Sequence, residues 1–144
     1  MPITIKTLKM HPEAQAPHYA HTGLYGDLAA DLHAVSMWTI EPGETVAIPT
    51  GLALGLPPGY GALVEDRSGM ALRGLTTLAG VIDPGYRGEI KVVLTNLAEI
   101  PQTVYPGDRI AQLRIVQRFE AIFEIVDKLE ETPRAAAGFG STGR

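Results

Sequence analysis

Cysteine is missing altogether from this chain of 144 residues. That absence excludes a disulfide framework, thiolate chemistry and any cysteine-based metal site, and it fits a reducing compartment. Long apolar runs are missing too. No stretch approaches the roughly 20 residues of a membrane-spanning helix, and the opening MPITIKTLKM lacks the apolar core of a secretory signal. The expectation is a cytoplasmic protein that engages no membrane. A basic stripe is also lacking. Twelve Lys and Arg stand against sixteen Asp and Glu, for a net charge of −4, which argues against a nucleic-acid polymer as ligand. Eight of the twelve cations are Arg, whose planar fork suits bidentate contacts to phosphate. A small phosphorylated ligand therefore stays open where a long polyanion does not. Helical periodicity never persists beyond one or two turns, and neither an internal repeat nor a linker is visible.

What is present is turn chemistry. Sixteen Gly and eleven Pro punctuate short apolar stretches, with Pro-Gly pairs at Pro42-Gly43, Pro58-Gly59, Pro84-Gly85 and Pro106-Gly107. Strands are predicted at Asp31–Val35, Trp38–Ile40, Thr45–Ile48, Leu52–Leu56, Gly61–Glu65, Glu89–Thr95, Thr103–Tyr105, Arg109–Gln117 and Ile122–Val126. Near the start, Ile3 and Ile5 alternate in one phase and Leu8 and Met10 in the other, so a bulge is expected near Lys6 or Thr7. The helix candidate is Ser68 to Arg73, with Ser68 as N-cap and Gly74 as stop. Regular short strands with turn signals predict an all-β fold, a sandwich or barrel.

The most informative stretch is Gly80 to Asn96, GVIDPGYRGEIKVVLTN. Asp83 stands at the mouth of a turn made by Pro84 and Gly85, with Gly expected to supply positive φ. Tyr86 and Arg87 follow. The Gly80–Asp83 arm and the Glu89–Thr95 strand are expected to pair as a hairpin carrying an acid and a phenol at its tip. Taken alone, Asp83 also reads as an Asx-type turn residue.

Other constellations suit phosphate. Arg67-Ser68-Gly69 opens the helix, where unpaired N–H groups and a partial positive charge gather; the same residues also read as an ordinary Ser cap. Near the end, Gly138 to Thr142 offers two hydroxyls, backbone N–H groups and Phe139 for stacking, with Arg134 just upstream. It is not a Walker motif. Asp27 and Asp31 read by default as turn and edge carboxylates, and His11, His18, His21 and His33 have no metal-ligand spacing. The residues after Val126, small and polar around a single Phe, read either as a frayed end or as an arm that orders over a ligand.

The order of these signals is specific. An Asp-Leu strand at Asp31, RSG at Arg67, GVID-x-x-YRGEI at Gly80, GDRIAQL at Gly107 and GFGSTG near the end closely resemble the five blocks of the trimeric, all-β dUTP diphosphatases (dUTPases), over nearly the whole chain. The resemblance implies a jelly-roll-like homotrimer that hydrolyses dUTP to dUMP and pyrophosphate, with Mg²⁺ on the triphosphate and each active site shared between subunits. It implies residues 1–133 as the β domain and 134–144 as a flexible arm closing over the site. Asp83 is implied to hold the attacking water, and since a free Asp is a weak base at neutral pH, its part is to place and polarise that water. Tyr86 is implied to pack under the deoxyribose. The backbone around Ala79, Gly80 and Val81 is implied to read the uracil edge, and Ile82 belongs to the implied substrate-binding set. Arg67, Ser68 and Gly69 are implied to hold phosphates from a neighbouring chain, with Asp31 and Gln112 near the metal's water shell. Lys91 joins the implied substrate-binding set, and Phe139, Gly140, Ser141, Thr142 and Arg134 are implied to cover the base and the γ-phosphate.

Departures from the family pattern are also legible. Leu28 and Ala29 stand where Ala-Gly is usual, Asp66 where Pro often precedes RSG, and Ala135 and Ala137 where the fifth block has Gly. The sister dCTP deaminases share the turn but need a Glu ten residues beyond Asp83, where this chain has Val93. A non-catalytic nucleotide-binding regulator of the same fold is the reading from a different class; the presence of Asp83, Arg67 and Phe139 together argues against it.

Overall fold

The computed structural model describes residues 2–143. Met1 and Arg144, the last residue of the expected arm, lie outside the described residues. Ten strands and a single short helix follow one another: β1 (Lys6–Lys9), β2 (Ala30–His33), β3 (Trp38–Ile40), β4 (Thr45–Gly55), β5 (Tyr60–Glu65), α1 (Ser68–Leu72), β6 (Leu75–Thr77), β7 (Val81–Ile82), β8 (Glu89–Asn96), β9 (Gln102–Val104) and β10 (Arg109–Gln117). They form two four-stranded sheets, ordered β1-β4-β8-β6 and β2-β10-β5-β7, and a small β3-β9 pair. Every pairing is antiparallel. The all-β class predicted from the turn rhythm holds.

The two sheets bury one core. Leu32, Ile48, Leu52, Leu56, Leu75, Ile90, Val92, Leu94 and Ile110 are essentially inaccessible, and each such side chain is worth roughly 1.5–3 kcal/mol of burial. Along β8 the period-2 pattern is clean: Ile90, Val92 and Leu94 point inward as expected. In β10 both Ile110 and Ala111 are buried, because the register with β2 shifts between Arg109 and Ala111. A bulge turns two successive side chains toward the same core. Buried Asn96 ties the far end together, donating to the carbonyls of Ile40 at 2.9 Å and Ile100 at 2.8 Å.

Several sequence expectations change. The bulge near Lys6 is not there: β1 pairs with β4 in unbroken register. All four β1 side chains are exposed, so the slip in hydrophobic phase costs an edge strand nothing. The candidates Thr45–Ile48 and Leu52–Leu56 are two ends of one strand, β4, whose register with β8 is interrupted between Pro49 and Ala53. Pro49 cannot donate to a ladder and Gly51 has φ +70°, which together read as a break in sequence. Ser68 is the first helical residue rather than the N-cap; Arg67 caps with extended backbone and no side-chain hydrogen bond. Gly74 ends the helix as expected, with φ +85°. Residues 122–126 form no strand. Ile122, Phe123 and Ile125 are almost fully exposed.

The largest correction concerns the expected hairpin. β7 and β8 belong to different sheets. Val81 and Ile82 pair with Leu63 and Ala62 of β5, while β8 lies between β4 and β6. The Asp83 turn therefore bridges the two sheets instead of closing one ladder.

Candidate active site

The Asp83 turn is closed by a hydrogen bond from Tyr86 N–H to the Asp83 carbonyl at 3.1 Å. Gly85 is not among the residues with positive φ, contrary to the sequence expectation, and this excludes a type II turn. Asp83 is exposed. Its carboxylate accepts no hydrogen bond among the described residues, so the Asx-turn reading fails. Arg87 holds the turn instead. Its guanidinium donates to the carbonyls of Pro84 at 2.7 Å, Tyr86 at 3.1 Å and Leu56 at 3.4 Å. Sequence reasoning named Arg87 but gave it no role; a cation next to a rigid acidic turn was the available signal. The Tyr86 hydroxyl donates to the Glu89 carbonyl at 2.7 Å, folding the ring back over Gly88. A Cβ on Gly88 would come within 2.6 Å of that hydroxyl, so Gly88 makes the ring's placement available.

Ala79, Gly80, Val81 and Ile82 lead into this turn along the sheet edge. Ala79 has φ +58° and Gly80 φ +103°. Ala in that region is strained by roughly 1–3 kcal/mol, a cost typical of functional segments. Gly80 is required: its carbonyl accepts from Val64 N–H at 2.8 Å, and a Cβ there would sit 2.6 Å from the Val64 carbonyl oxygen.

A second cluster gathers around the start of α1. Arg67 Nε donates to Asp31 Oδ1 at 2.9 Å, and Arg109 lies 3.8 Å from the other oxygen. Arg67 also donates to the Arg109 carbonyl at 3.3 Å. Gln112 lies directly opposite Asp31 in the β10–β2 ladder, and its Nε2 donates to the Asp66 carbonyl at 2.7 Å. Ser68 and Gly69 are exposed, nothing lies within 4 Å of a Cβ placed on Gly69, and buried Met70 anchors the turn beneath them. The first N–H groups of a helix have no carbonyl one turn back, so this open face carries donors beside a guanidinium. Asp31, Arg67, Ser68, Gly69 and Gln112 are thus brought together. Asp27 is the turn carboxylate it was taken for, accepting from His21 N–H at 2.8 Å.

Other predicted residues stand apart. Lys91 is on the exposed face of β8 and makes no ion pair among the described residues. Arg134 donates to the Ala137 carbonyl at 2.8 Å, and Phe139, Gly140, Ser141 and Thr142 are all exposed. Among the described residues, Arg118 N–H to the Gly59 carbonyl at 2.8 Å is the last hydrogen bond between the tail and the sheets. Ala135 has φ +49°, a conformation that the Gly usual at that place would adopt without strain.

One chain does not unite the two clusters. β7 pairs Ile82 with Ala62 and Val81 with Leu63, which sets Asp83 beside the start of β5. Arg67 lies beyond the other end of β5, roughly 20 Å away at about 3.3 Å per residue.

The family model described as dUTPase matches residues 15–143. The chain belongs to the dUTPase family. It is similar to the deoxyuridine 5'-triphosphate nucleotidohydrolase of Solibacter usitatus (strain Ellin6076), with 48% identity over 97% of this chain and 96% of that one. The enzyme of the same name from Anaeromyxobacter sp. (strain Fw109-5) is 43% identical over the full length of both. Among solved structures, the Staphylococcus bacteriophage 80alpha dUTPase with dUPNHPP superposes with a TM-score of 0.85 at 25% identity, covering 98% of this chain and 99% of that one. Membership agrees with Val93, an apolar residue whose carbonyl accepts from Leu78 N–H, where a deaminase needs a Glu.

Proposed function

We propose that this chain hydrolyses dUTP to dUMP and pyrophosphate, by attack of water on the α-phosphorus, in an active site completed between subunits of a homotrimer. The observation that carries the reading is the Asp31–Arg67–Gln112 cluster beside the open first turn of α1. It offers a fixed guanidinium and backbone donors to a polyanion, on a chain whose net charge would otherwise repel one. The roles follow from chemistry. Asp83 presents an unengaged carboxylate on a rigid turn, suited to orienting a water molecule. The Ala79–Val81 backbone, with Ala79 held at positive φ, offers peptide groups to the uracil edge, and Tyr86 offers a ring face to the sugar. Arg67, Ser68 and Gly69 take the phosphates, offsetting charge that the bound substrate already carries.

The metal is read as part of the substrate, Mg·dUTP. Among the described residues no group of three or more His, Asp or Glu could hold an ion, and Asp31 already shares its charge with Arg67 and Arg109. That donor set suits a hydrated metal carried in on phosphates, with Asp31 and Gln112 facing its water shell. When bound, Mg²⁺ neutralises phosphate charge. The separation of Asp83 from Arg67 along β5 supports a site shared between copies, as do the exposed Phe119, Ile122, Phe123 and Ile125. No described helix is long and apolar enough to cross a membrane. Residues 134–144 are proposed as the arm that closes over base and γ-phosphate, through Phe139, Ser141, Thr142 and Arg134.

One assay tests the reading. With Mg·dUTP and Mg·dCTP as substrates, release of pyrophosphate from dUTP is expected. Ammonia from dCTP would make the chain a deaminase, and binding without turnover would make it a regulator.

A further inference from the structure

We propose that Asp66 is a positioning residue that fastens the phosphate-holding arc Arg67–Gly69 to strand β6. The family often has Pro at this place, and by charge alone an acid here is set against a triphosphate. The geometry gives the charge another use. Asp66 Oδ2 accepts from the Thr76 hydroxyl at 2.7 Å, and Oδ1 accepts from Thr77 N–H at 2.6 Å. Its own carbonyl accepts from Gln112 Nε2 at 2.7 Å. Strand β6 is itself fixed, pairing Leu75, Thr76 and Thr77 with Asn96, Thr95 and Leu94 of β8, with Leu75 wholly buried. The junction between β5 and α1 is thus tied to both sheets through one residue. Burial pushes the Asp66 carboxyl up, but the hydrogen bonds from Thr76 and Thr77 outweigh it and hold the group below its ordinary range. A Pro would preset the backbone and offer neither oxygen. The tie to Gln112 has a second effect: with Nε2 turned to the Asp66 carbonyl, Oε1 is the atom Gln112 presents elsewhere, an acceptor suited to metal-bound water.

The inference rests on the dUTPase reading above, and the test separates the two. Steady-state hydrolysis of Mg·dUTP is measured for wild type, Asp66→Ala, Asp66→Asn, Thr76→Val and the Asp66→Ala/Thr76→Val double variant. Loosening the arc weakens phosphate binding in ground and transition states alike, so Asp66→Ala is expected to raise KM about tenfold with kcat within about twofold. Asparagine keeps an acceptor for Thr77 N–H and can donate to the Thr76 hydroxyl, so Asp66→Asn should hold KM within about threefold of wild type. Thr76→Val should raise KM partway, and the double variant should be no worse than Asp66→Ala, as expected for two ends of one contact. A wild type that releases no pyrophosphate sinks the functional reading. An active wild type with an unchanged KM in Asp66→Ala sinks this inference alone. Equal damage from Asn and Ala would assign the effect to charge and overturn the clamp. Should Asp66→Ala fail to fold, an unchanged KM in Thr76→Val overturns the clamp.

Discussion

Four Pro-Gly turns punctuate this chain, and one of them differs from the other three. Each is closed by a hydrogen bond across the turn: Glu44 to Glu41, Tyr60 to Pro57, Tyr86 to Asp83 and Asp108 to Tyr105. In the first, second and fourth, the glycine takes positive φ, at +79° for Gly43, +85° for Gly59 and +87° for Gly107. That is the type II pattern. In two of these three, the acid that follows the glycine also binds the turn. Glu44 Oε1 accepts from Glu41 N–H at 3.1 Å, and Asp108 Oδ2 from Tyr105 N–H at 2.8 Å. In the Asp83 turn the glycine is not left-handed, the carboxylate accepts nothing, and the bracing comes from Arg87 behind it. The same dipeptide makes scaffold where its glycine is left-handed, and a candidate site where it is not and Arg87 braces the turn from behind.

The hardest test of that difference is Asp83→Asn beside Glu41→Gln. The first removes the anionic oxygen while keeping size and turn, and kcat should fall about 10²–10⁴-fold with dUTP binding largely kept. The second alters an acid at the matching place of a scaffold turn and should leave kcat unchanged. Single-turnover kinetics with a separate binding measurement checks both. Near-normal turnover by Asp83→Asn would dissolve the distinction between the turns.

Smaller effects follow from what surrounds the acid. Removing residues from Arg134 onward should lower kcat by about 10²-fold, the scale of losing groups that complete a site. The melting temperature should hold, since those residues share no core. A truncated protein that unfolds yet keeps its turnover per folded molecule would make the arm structural. For Tyr86→Ala, preference for dUTP over UTP should narrow by about tenfold, a loss of roughly 1.4 kcal/mol in discrimination. Equal loss on both nucleotides would leave the ring a packing role only.

Local chemistry was what the sequence made legible. Periodicity gave β8 and β10 because one face of each is buried, and Gly74 stopped α1 because only glycine takes φ +85° cheaply. The five blocks named the candidate site residues. Partner choice was not legible. Nothing in GVID or in EIKVVLT says that β7 pairs with β5 and not with β8, because pairing depends on strands more than fifteen residues away. The contacts of Asp66 were hidden for the same reason: the partners of its carboxylate, Thr76 and Thr77, lie across α1. The lone Asp83 carboxylate was undecidable too, since Asp before Pro-Gly usually closes its own turn, and only the position of Arg87 relieves it of that task.

The finest test exchanges glycine for alanine in every one of the four turns. A left-handed residue with a Cβ costs about 1–2 kcal/mol relative to glycine, of which the greater chain entropy that glycine gives up on folding offsets about 0.5 kcal/mol. At Gly43 and Gly59 the space is open, with nothing within 4 Å of the added Cβ, so the cost is conformational alone. At Gly107 the nearest atom is Gln15 Nε2 at 3.6 Å, an ordinary contact. Gly43→Ala, Gly59→Ala and Gly107→Ala should therefore each lower stability by about 1 kcal/mol, read as a shift in denaturation midpoint at constant m-value. At Gly85 the φ is not left-handed and the space is equally open. Gly85→Ala should leave stability unchanged or raise it by up to about 0.5–1 kcal/mol, because the unfolded chain loses freedom while the folded turn is not strained. Activity should fall only so far as the added methyl crowds the water beside Asp83. If Gly85→Ala destabilises as much as the other three, the turn is left-handed in solution and Asp83 sits on the same scaffold geometry as the rest.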